Sequence, residues 1–381
     1  MKKIAIIGGG ASGMACAAML ANSISASVTL FERGERLGRK LSATGNGQGN
    51  LTNAYMGASF YRSDDLQKVE RLLSRFGTED TVRFFSEMGG IYLPDAKGRV
   101  YPAGKQASAL TDLLRKTLSR QGVKTVLQTK VSRISRDLTV YYAENQRDRF
   151  DAVVLCAGGM AAPNFGTDGN GYALAQSLGH TLVPCTPSLV QLRTDPALVR
   201  GLKGIRVDGT VCVLRKGRPV YTTRGDILFT ESGISGDACF RASAHAKEGD
   251  VLSLDLLPDV KEEELYRVLS KNDGEETLLC VVNNGLGRVL YKRANGEKSA
   301  LVSLLKAFLL PVKGTLGFAY AQVTKGGIPL AETDDDLQST LCKGLYFAGE
   351  ILNVDGDCGG YNLQWAFTSA YAVSEGIKGC F

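Results

Sequence analysis

The chain has 381 residues, of which 44% are apolar and 22% charged, and its formal net charge at pH 7 is +6. This composition is ordinary for a folded globular chain and excludes an intrinsically disordered one. The basic residues are dispersed without a run of five or more, which favours a role in solubility over nucleic-acid binding, so no nucleic-acid partner is expected.

The N-terminal segment has the pattern of a βαβ unit. A short apolar strand is predicted over residues 3–7, a glycine turn over 8–13 and a helix of small residues over 14–21. A second strand over 27–31 ends at Glu32. The chain therefore opens with the first half of a doubly wound α/β fold.

The following segment alternates helices, strands and a long polar loop, RGERLGRKLSATGNGQGNLTN. Helices are predicted near residues 65–76, 80–88 and 107–121. Strands are predicted over 123–128 and 138–144. A buried strand that begins at Asp151 then runs into Ala157 and Gly158, and the sheet of the first unit is expected to resume there.

From about Pro187 the pattern changes to the alternation of β-strands with hairpin turns. Residues 261–308 are helical in pattern, residues 345–350 form a short strand that ends in glycine and acid, and residues 361–378 form the last helix. We predict a discontinuous Rossmann-like domain with two insertions. The domains are 1–186 with 318–381, a β-barrel-like insertion over 187–260 with 309–317, and a small helical domain over 261–308.

Gly8, Gly10 and Gly13 fit the dinucleotide fingerprint G-x-G-x-x-G. The first glycine permits the turn, the second lets a pyrophosphate approach the backbone, and the third lets the helix pack closely on the strand. Glu32 follows about twenty residues later, where a carboxylate binds a ribose. Because an acid there would repel a 2′-phosphate, the ligand is FAD or NAD rather than NADP.

Cysteine and histidine usage argues against metal and disulfide chemistry. The nine cysteines have scattered spacings without a C-x-x-C pair, which is typical of reduced thiols. His180 and His245 are the two histidines, a scarcity that argues against a metal site or a catalytic triad. With no apolar run near the roughly 18 residues of a membrane span and no signal-peptide pattern, we expect a cytoplasmic protein without a metal or a membrane partner.

Two later strand-to-glycine junctions, VVLCAGG and LYFAGE, favour FAD over NAD. Together with the first loop they resemble the glutathione-reductase-like FAD-binding fold. That resemblance implies that Gly349, Glu350 and Asp355 lie along the ribityl chain. The last helix follows Gly359 and Gly360, so its positive end can face the flavin pyrimidine, where charge accumulates on reduction. The residues that begin this helix are Tyr361, Asn362 and Leu363.

Over nearly its whole length the chain resembles a bacterial family of NAD(P)/FAD-dependent oxidoreductases that includes aminoacetone oxidases and bile-acid (3-oxo-Δ4) reductases. The segments that carry this resemblance are GRKLSATGNGQGNLTN, GRVYPAGKQASAL, GTDGNGYALAQSLGH, DILFTESGISG, QVTKGGI and GLYFAGEILNVDGDCGGYNLQWAFTSA. It implies an FAD domain with an inserted β-barrel-like domain and a small helical domain. The further FAD contacts that it implies are Ala11, Ser12, Arg33, Arg39, Lys40, Leu41, Thr44, Gly45, Asn46, Gly47 and Val131.

One departure from this family lies beside the expected flavin. The family commonly reads Gly-Arg-Cys-Asn where this chain has Gly47-Gln48-Gly49-Asn50. A basic residue and a thiol that would face the flavin are therefore absent, and a mechanism that needs either one is in doubt.

Flavin chemistry predicts hydride transfer between N5 and a small organic substrate, as in enone reduction. No second nucleotide fingerprint is visible, so NAD(P)H is expected as a transient donor. The catalytic residues are unknown, with Tyr55, Arg62 and Tyr101 as candidate proton donors, whereas Cys358 is interpreted as a packing residue. The oligomeric state is left open.

Three alternatives remain at this stage. The first is an amine oxidase of the aminoacetone type that uses dioxygen. The second is a fumarate-reductase-like enzyme in which Arg193, Arg206 or Arg224 holds a carboxylate. The third is an RNA-associated module that holds flavin without catalysis.

Overall fold

The computed structural model describes residues 1–23, 25–271 and 273–381. Its helices, in chain order, are α1 (Ala11–Ala21), α2 (Leu66–Arg75), α3 (Thr78–Glu87), α4 (Ala107–Arg120), α5 (Asn170–Ser177), α6 (Pro196–Val199), α7 (Asp237–Ser243), α8 (Glu262–Leu269), α9 (Asn284–Arg293), α10 (Lys298–Lys306) and α11 (Tyr361–Cys380).

The strands, in the same order, are β1 (Lys2–Ile7), β2 (Ala26–Phe31), β3 (Thr52–Asn53), β4 (Tyr61–Ser63), β5 (Tyr92–Pro94), β6 (Arg99–Pro102), β7 (Lys124–Val126), β8 (Val131–Ile134), β9 (Thr139–Tyr142), β10 (Gln146–Arg149), β11 (Ala152–Leu155), β12 (Val183–Ser188), β13 (Leu192–Arg193), β14 (Arg206–Arg215), β15 (Arg218–Phe229), β16 (Gly233–Ser235), β17 (Val251–Asp255), β18 (Phe308–Pro311), β19 (Val323–Gly327), β20 (Leu345–Phe347) and β21 (Val354–Gly356).

The backbone contacts divide the chain into two compact units. The first unit comprises Met1–Thr186 and Val323–Phe381, and the second comprises Pro187–Gln322. Residues 318–322, predicted in the FAD domain, fall in the second unit. The division into three domains stays a prediction.

The centre of the first unit is a five-stranded parallel sheet in the order β20-β11-β1-β2-β7. Ile4 to Ile7 pair on one side with Ala152 to Leu155 and on the other with Val28 to Phe31. The chain adds β2 and β7 on one side of β1 and then β11 and β20 on the other, so the strand order reverses beside β1. Parallel sheets of this kind bind ligands outside the carboxyl ends of their strands at such a reversal.

Helix α1 packs on this sheet through small buried residues, Ala15, Cys16 and Ala17 among them. It begins at Ala11, three residues before the predicted start, because Gly10 already occupies the position before the first helical turn. The last helix, α11, begins at Tyr361 as predicted.

Two small antiparallel sheets complete the site-bearing part of the first unit. Strands β3, β6 and β5 form one, in the order β3-β6-β5, and β4 pairs with β21 in the other. Buried Gln364 ties the first of these sheets to α11, since its side-chain oxygen accepts hydrogen bonds from Thr52 at 2.5 Å and Thr81 at 3.0 Å.

The second unit is built on a six-stranded antiparallel sheet in the order β13-β16-β15-β14-β17-β18. The segment after β18 returns to β13, where the Arg193 N–H donates to the Gly314 carbonyl at 2.9 Å and the Lys313 N–H donates to the Arg193 carbonyl at 2.8 Å. These bonds join the two ends of the sheet and give it a barrel-like form. Apolar residues of helices α8 to α10 lie in the same core cluster as those of the sheet.

The predicted fold class is therefore confirmed as α/β, with a Rossmann-like parallel sheet and an inserted antiparallel one. Among the described residues, every helix falls short of the length and apolarity that crossing a bilayer requires.

Candidate functional site

The first glycine loop leaves open space where a ligand phosphate is expected. A Cβ on Gly13 would lie 1.9 Å from the Gly8 carbonyl oxygen, and one on Gly8 would lie 2.4 Å from the Cys156 carbonyl oxygen. A Cβ on Gly10, in contrast, would meet no atom within 4 Å. Gly8 and Gly13 are therefore required for packing, whereas Gly10 borders a space in front of α1, which begins at Ala11. The first-turn N–H groups of a helix have no intrahelical partner and suit an anion.

Glu32 lies beside this loop with its carboxylate held by the backbone. Its two oxygens accept hydrogen bonds from the Gly9 N–H at 2.8 Å and the Gly34 N–H at 2.6 Å. A carboxylate has about four acceptor positions, so two remain for the hydroxyl groups of a ribose. The Glu32 carboxylate is thus held in one orientation by the backbone and can still accept further hydrogen bonds.

Arg33 and Val131 both contact the loop before α5. Arg33 forms an ion pair with Asp168, and the Val131 carbonyl accepts from the Asn170 side chain at 3.3 Å. Burial alone would raise the pKa of Asp168, but the hydrogen bonds from Arg33 and from the Asn170 N–H hold it below its ordinary value. This loop is therefore tied to the sheet edge where the adenine is expected.

Lys40 and Glu350 bring the polar loop to the end of β20. Their side chains form an ion pair at 2.7 Å, and the other Glu350 oxygen accepts from the Thr324 N–H at 2.8 Å. Arg39 donates to the Asn164 carbonyl at 2.8 Å, and Leu41 is buried. Thr324 was missed by the sequence analysis although its segment, QVTKGGI, carried part of the resemblance.

Ser12, at the start of α1, touches the end of β20. Gly349 has a φ of +82°, and a Cβ there would lie 2.4 Å from the Ser12 hydroxyl oxygen. The Gly349 N–H donates to Ser369 at 2.9 Å, and its carbonyl accepts from Trp365 at 3.3 Å. At the end of β11, a Cβ on Gly8 would lie 2.9 Å from the Ala157 Cα, and the next residue, Gly158, has a φ of +72°. The ends of β1, β11 and β20 thus meet at one place.

The loop at residues 44–50 is exposed at its tip and buried at its end. Four residues have positive φ: Gly45, Asn46, Gly47 and Gly49. The Thr44 hydroxyl donates to the Leu41 carbonyl at 2.7 Å. A Cβ on Gly49 would lie 2.9 Å from the Ala107 Cα, so this position has no room for the thiol common in the family. The next residue, Asn50, is buried and its side-chain oxygen has no hydrogen-bond partner.

The loop before α11 is fixed by side chains from distant parts of the chain. The Asn53 side chain donates to the Gly359 carbonyl at 2.9 Å, and a Cβ on Gly360 would lie 2.4 Å from the Thr52 carbonyl oxygen. Asn362 donates to and accepts from the Gly356 backbone at 2.8 Å. The Tyr361 ring stacks on Phe60, and Leu363 packs on the core.

Arg62 binds two carboxylates, those of Asp355 and Asp357, at the start of this loop. Its Nε donates to Asp355 at 2.8 Å and one terminal nitrogen donates to Asp357 at 2.5 Å, while the other terminal nitrogen is buried without a partner. Burial alone would lower the pKa of Arg62, but the two carboxylates outweigh it and raise that pKa. The guanidinium therefore stays charged, which does not suit a proton donor. Asp355, predicted beside the ribityl chain, is 1% exposed and paired with Arg62.

The other two candidate donors lie near the same loop. Tyr55 is 63% exposed and lies against Gly98, whereas Tyr101 is 8% exposed on β6. Asn53 and Gln364, which position the loop, were missed because no local pattern distinguishes them from other polar residues.

These observations fit FAD. The space at Gly10 faces a helix start, the Asn50 oxygen and one Arg62 nitrogen are buried without partners, and Glu32 retains acceptor capacity. Helices α1 and α11 each follow a glycine that provides no side-chain cap, a feature that α3, α5 and α7 share. The individual cofactor contacts stay predictions. No group of three metal-ligating side chains is found in the described part of the chain.

The fold and the site define the class of flavin-dependent oxidoreductases. Residues 2–376 match the model of the HI0933-like protein Rossmann domain, and the chain belongs to the HI0933-like family.

Curated relatives match along almost their whole length. The chain is 36% identical to a 3-dehydro-bile acid delta(4,6)-reductase of Clostridium scindens, with 98% of each chain covered. It is 29% identical to a ribosomal RNA dihydrouridine synthase of Haemophilus influenzae, again with 98% of each covered. A protein of the same description from Escherichia coli is 28% identical, with 98% and 97% covered.

Solved structures share the fold. The 3-ketosteroid delta1-dehydrogenase of Sterolibacterium denitrificans matches with a TM-score of 0.56 and 14% identity over 100% of both chains. The 3-ketosteroid-delta4-(5alpha)-dehydrogenase of Rhodococcus jostii RHA1 matches with a TM-score of 0.54 and 16% identity over 98% and 96%. At these identities the likeness shows the fold alone.

Proposed function

We propose that this protein reduces a carbon–carbon double bond conjugated to a ketone or pyrimidine carbonyl group, with FAD as cofactor and NAD(P)H as transient electron donor. The observation that carries the proposal is the type of reaction that the names of the curated relatives describe. One is a bile-acid reductase at 36% identity and two are dihydrouridine synthases at 28–29% identity, all matched over nearly their full length.

Both kinds of product arise from one type of reaction. Dihydrouridine differs from uridine by two hydrogens across C5=C6, a bond conjugated to the C4 carbonyl. A Δ4 double bond beside a 3-oxo group is conjugated in the same way. When bound, FAD supplies a hydride to the β-carbon of such a system. The protein must supply orientation, exclusion of water and a proton for the α-carbon.

The chain's own residues suit these tasks. The space at Gly10 and the carboxylate of Glu32 suit the nucleotide end of FAD. The ion pair between Lys40 and Glu350 holds the polar loop beside the end of β20. Helix α11 begins at Tyr361, and Gly360 before it provides no side-chain cap, so the positive end of the helix is available to stabilise developing negative charge. A rigid loop holds this helix start in place.

We propose a small-molecule enone as the substrate, because the relative with the higher identity acts on a bile acid. Uridine in ribosomal RNA is the second candidate, and the two full-length dihydrouridine synthase relatives favour it. The net charge of +6 is compatible with either substrate.

The unsaturated-acid alternative has weaker support. Arg224 is bound by Asp259 at 2.6 Å and by Asp208 at 3.0 Å, and Arg206 is bound by Asp226 at 2.9 Å. These two guanidinium groups already have carboxylate partners, so neither is free to bind a substrate acid, whereas Arg193 stays a candidate for that role.

The test is anaerobic reduction of the purified flavoprotein with NADH or NADPH, followed by separate addition of four acceptors. Three of these acceptors are 4-androstene-3,17-dione, an unmodified ribosomal RNA transcript and fumarate. The fourth is air, and in that experiment aminoacetone replaces the nicotinamide as the reductant. Reoxidation by the enone, with a product two hydrogens heavier, supports the proposal. Dihydrouridine in the transcript would instead select the second candidate. If the enzyme reduced neither the enone nor uridine in the transcript, turnover with fumarate, or with aminoacetone and air, would refute both candidate substrates.

A further inference from the structure

We propose that Tyr101 is the proton donor for this reduction, an inference that rests on the proposed function. Its hydroxyl would deliver the proton to the α-carbon of the conjugated system. Three features of the described residues support it: the sheet face on which Tyr101 lies, the state of its hydroxyl, and the condition of the other candidate donors.

The β3-β6-β5 sheet places Tyr101 on the same face as Asn53. Asn53 pairs directly with Arg99 across β3 and β6, and residues directly opposite each other share a face. Arg99 and Tyr101 are two positions apart on β6 and so also share that face. The Arg99 guanidinium carbon lies 5.8 Å from the centre of the Tyr101 ring.

That face is turned to the loop before α11. The Asn53 side chain donates to the Gly359 carbonyl at 2.9 Å. The Cys358 thiol is near enough to Tyr101 to act on its ionisation. Tyr101 therefore lies on the sheet face that contacts this loop, and the loop leads into the helix start that we assign to the redox end of the cofactor.

The state of the Tyr101 hydroxyl suits a group that meets a ligand. The residue is 8% exposed, yet its hydroxyl has no hydrogen-bond partner among the described residues. The hydroxyl oxygen is not fully buried and keeps some accessible surface. Buried tyrosine hydroxyls usually find a partner, because leaving one without a hydrogen bond costs free energy. Because the Tyr101 hydroxyl keeps accessible surface, water in the free enzyme and a substrate in the complex would provide that contact.

The surroundings keep this hydroxyl protonated. Burial is the main effect that raises the pKa of Tyr101; Arg99 lowers it, and Asp95 and Cys358 raise it. The group therefore carries its proton at neutral pH. An enolate is a stronger base than a phenolate, so transfer from tyrosine to the α-carbon is favourable.

The other candidate groups fit the role less well. Arg62 is a charged guanidinium held by two carboxylates. Tyr55 is 63% exposed, so water competes with it. Gly49 stands where the family has a thiol, and Gln48 has no acidic proton.

Atoms and electrons are conserved in this reduction. A hydride adds to the β-carbon, the C=C electron pair moves toward the carbonyl, and an enolate forms on the substrate. The Tyr101 O–H bond then breaks as the α-carbon C–H bond forms, and the tyrosinate recovers a proton from water. NAD(P)H is the source of the hydride, which carries both electrons, and is oxidised to NAD(P)⁺.

The test compares Tyr101→Phe with wild type in two separate half-reactions, using 4-androstene-3,17-dione as acceptor. Reduction of the flavoprotein by NADPH should change less than about twofold, whereas anaerobic reoxidation by the enone should slow about 10²- to 10⁴-fold. Tyr92→Phe, on neighbouring β5, is the matched control and should affect neither rate. In an ultraviolet pH titration of the cofactor-free protein, Tyr101→Phe should remove one tyrosine that ionises above the ordinary range.

Reoxidation of Tyr101→Phe at the wild-type rate would overturn the inference while the proposed function stands. The same holds if Tyr55→Phe or Cys358→Ser, rather than Tyr101→Phe, slows reoxidation. If wild type reduces neither the enone nor uridine in RNA, the proposed function itself fails, and the inference fails with it.

Discussion

Two glycine-rich loops precede helices in the first unit, and they are stabilised in different ways. The loop before α1 is shaped by its own neighbours, since Gly13 contacts Gly8 and Gly8 contacts the end of β11. The loop before α11 is held by Asn53, Thr52 and Arg62, which lie about three hundred residues earlier in the chain. A short motif therefore predicts the first loop, whereas the second depends on tertiary contacts. Substitutions in the two loops should differ accordingly.

The largest effect is expected at Arg62. Arg62→Met removes the cationic charge that is paired with the buried Asp355 carboxylate, so unfolding free energy should fall by about 3 kcal/mol, at the lower end of the range for broken buried ion pairs. Chemical denaturation measures this change. Arg71→Met removes an exposed pair with Asp335 and should cost less than about 1 kcal/mol. Equal losses in the two variants would contradict the buried role of Arg62.

The next effect concerns the first loop. Gly13→Ala forces a methyl group against the Gly8 carbonyl, so stability should fall by about 1–3 kcal/mol and FAD retention should be lost. Gly10→Ala has space around it and should keep wild-type stability while it weakens FAD binding. Thermal unfolding and flavin release measured on both variants separate packing from ligand approach. A destabilised Gly10→Ala with normal FAD affinity would reverse these assignments.

A smaller effect is expected at Asn53. Asn53→Ala removes the hydrogen bond to Gly359 and should cost about 1 kcal/mol, with weaker FAD binding because the α11 start is less well held. Asn283→Ala in the second unit removes a comparable amide contact, to the Gly285 N–H at 2.9 Å. It should lower stability without changing FAD affinity. The same affinity loss in both variants would disprove a specific role for Asn53.

The smallest effect concerns the Arg33–Asp168 pair, which is partly exposed. Because the pKa of Asp168 is lowered on folding, its stabilisation is present above the unfolded-state pKa and is lost as the pH falls through the folded-state value. Asp168→Asn should therefore cost a few tenths of a kcal/mol near pH 7 and nothing once acid has protonated the carboxyl. Urea denaturation at both pH values checks this. A difference that grows in acid would contradict it.

Local pattern was enough to predict much of the fold. The strand at the N-terminus, the glycine spacing, Glu32 at the end of β2 and the start of α11 at Tyr361 all follow from periodicity or from turn chemistry. The start of α1 was placed three residues late, since its first turn is marked by backbone conformation and not by apolar residues.

The rest depends on contacts between distant residues. Thr324 binds Glu350, and Gln364 binds Thr52 and Thr81, but these residues resemble any other polar side chain in the sequence. Strands β3 and β4 have two and three residues, too few for a periodic signal. The hydrogen bond from the Arg193 N–H to the Gly314 carbonyl, which joins the ends of the second unit's sheet, has no sequence signature.

The central claim is that the first unit holds FAD at the ends of β1, β11 and β20. The most direct measurement is the absorption spectrum of the purified protein, with added FAD if needed, beside that of Gly13→Ala. We expect flavin bands in the wild-type protein, bleached by NAD(P)H without air, and no retained flavin in the variant. Wild-type protein that neither contains nor takes up flavin would contradict the account.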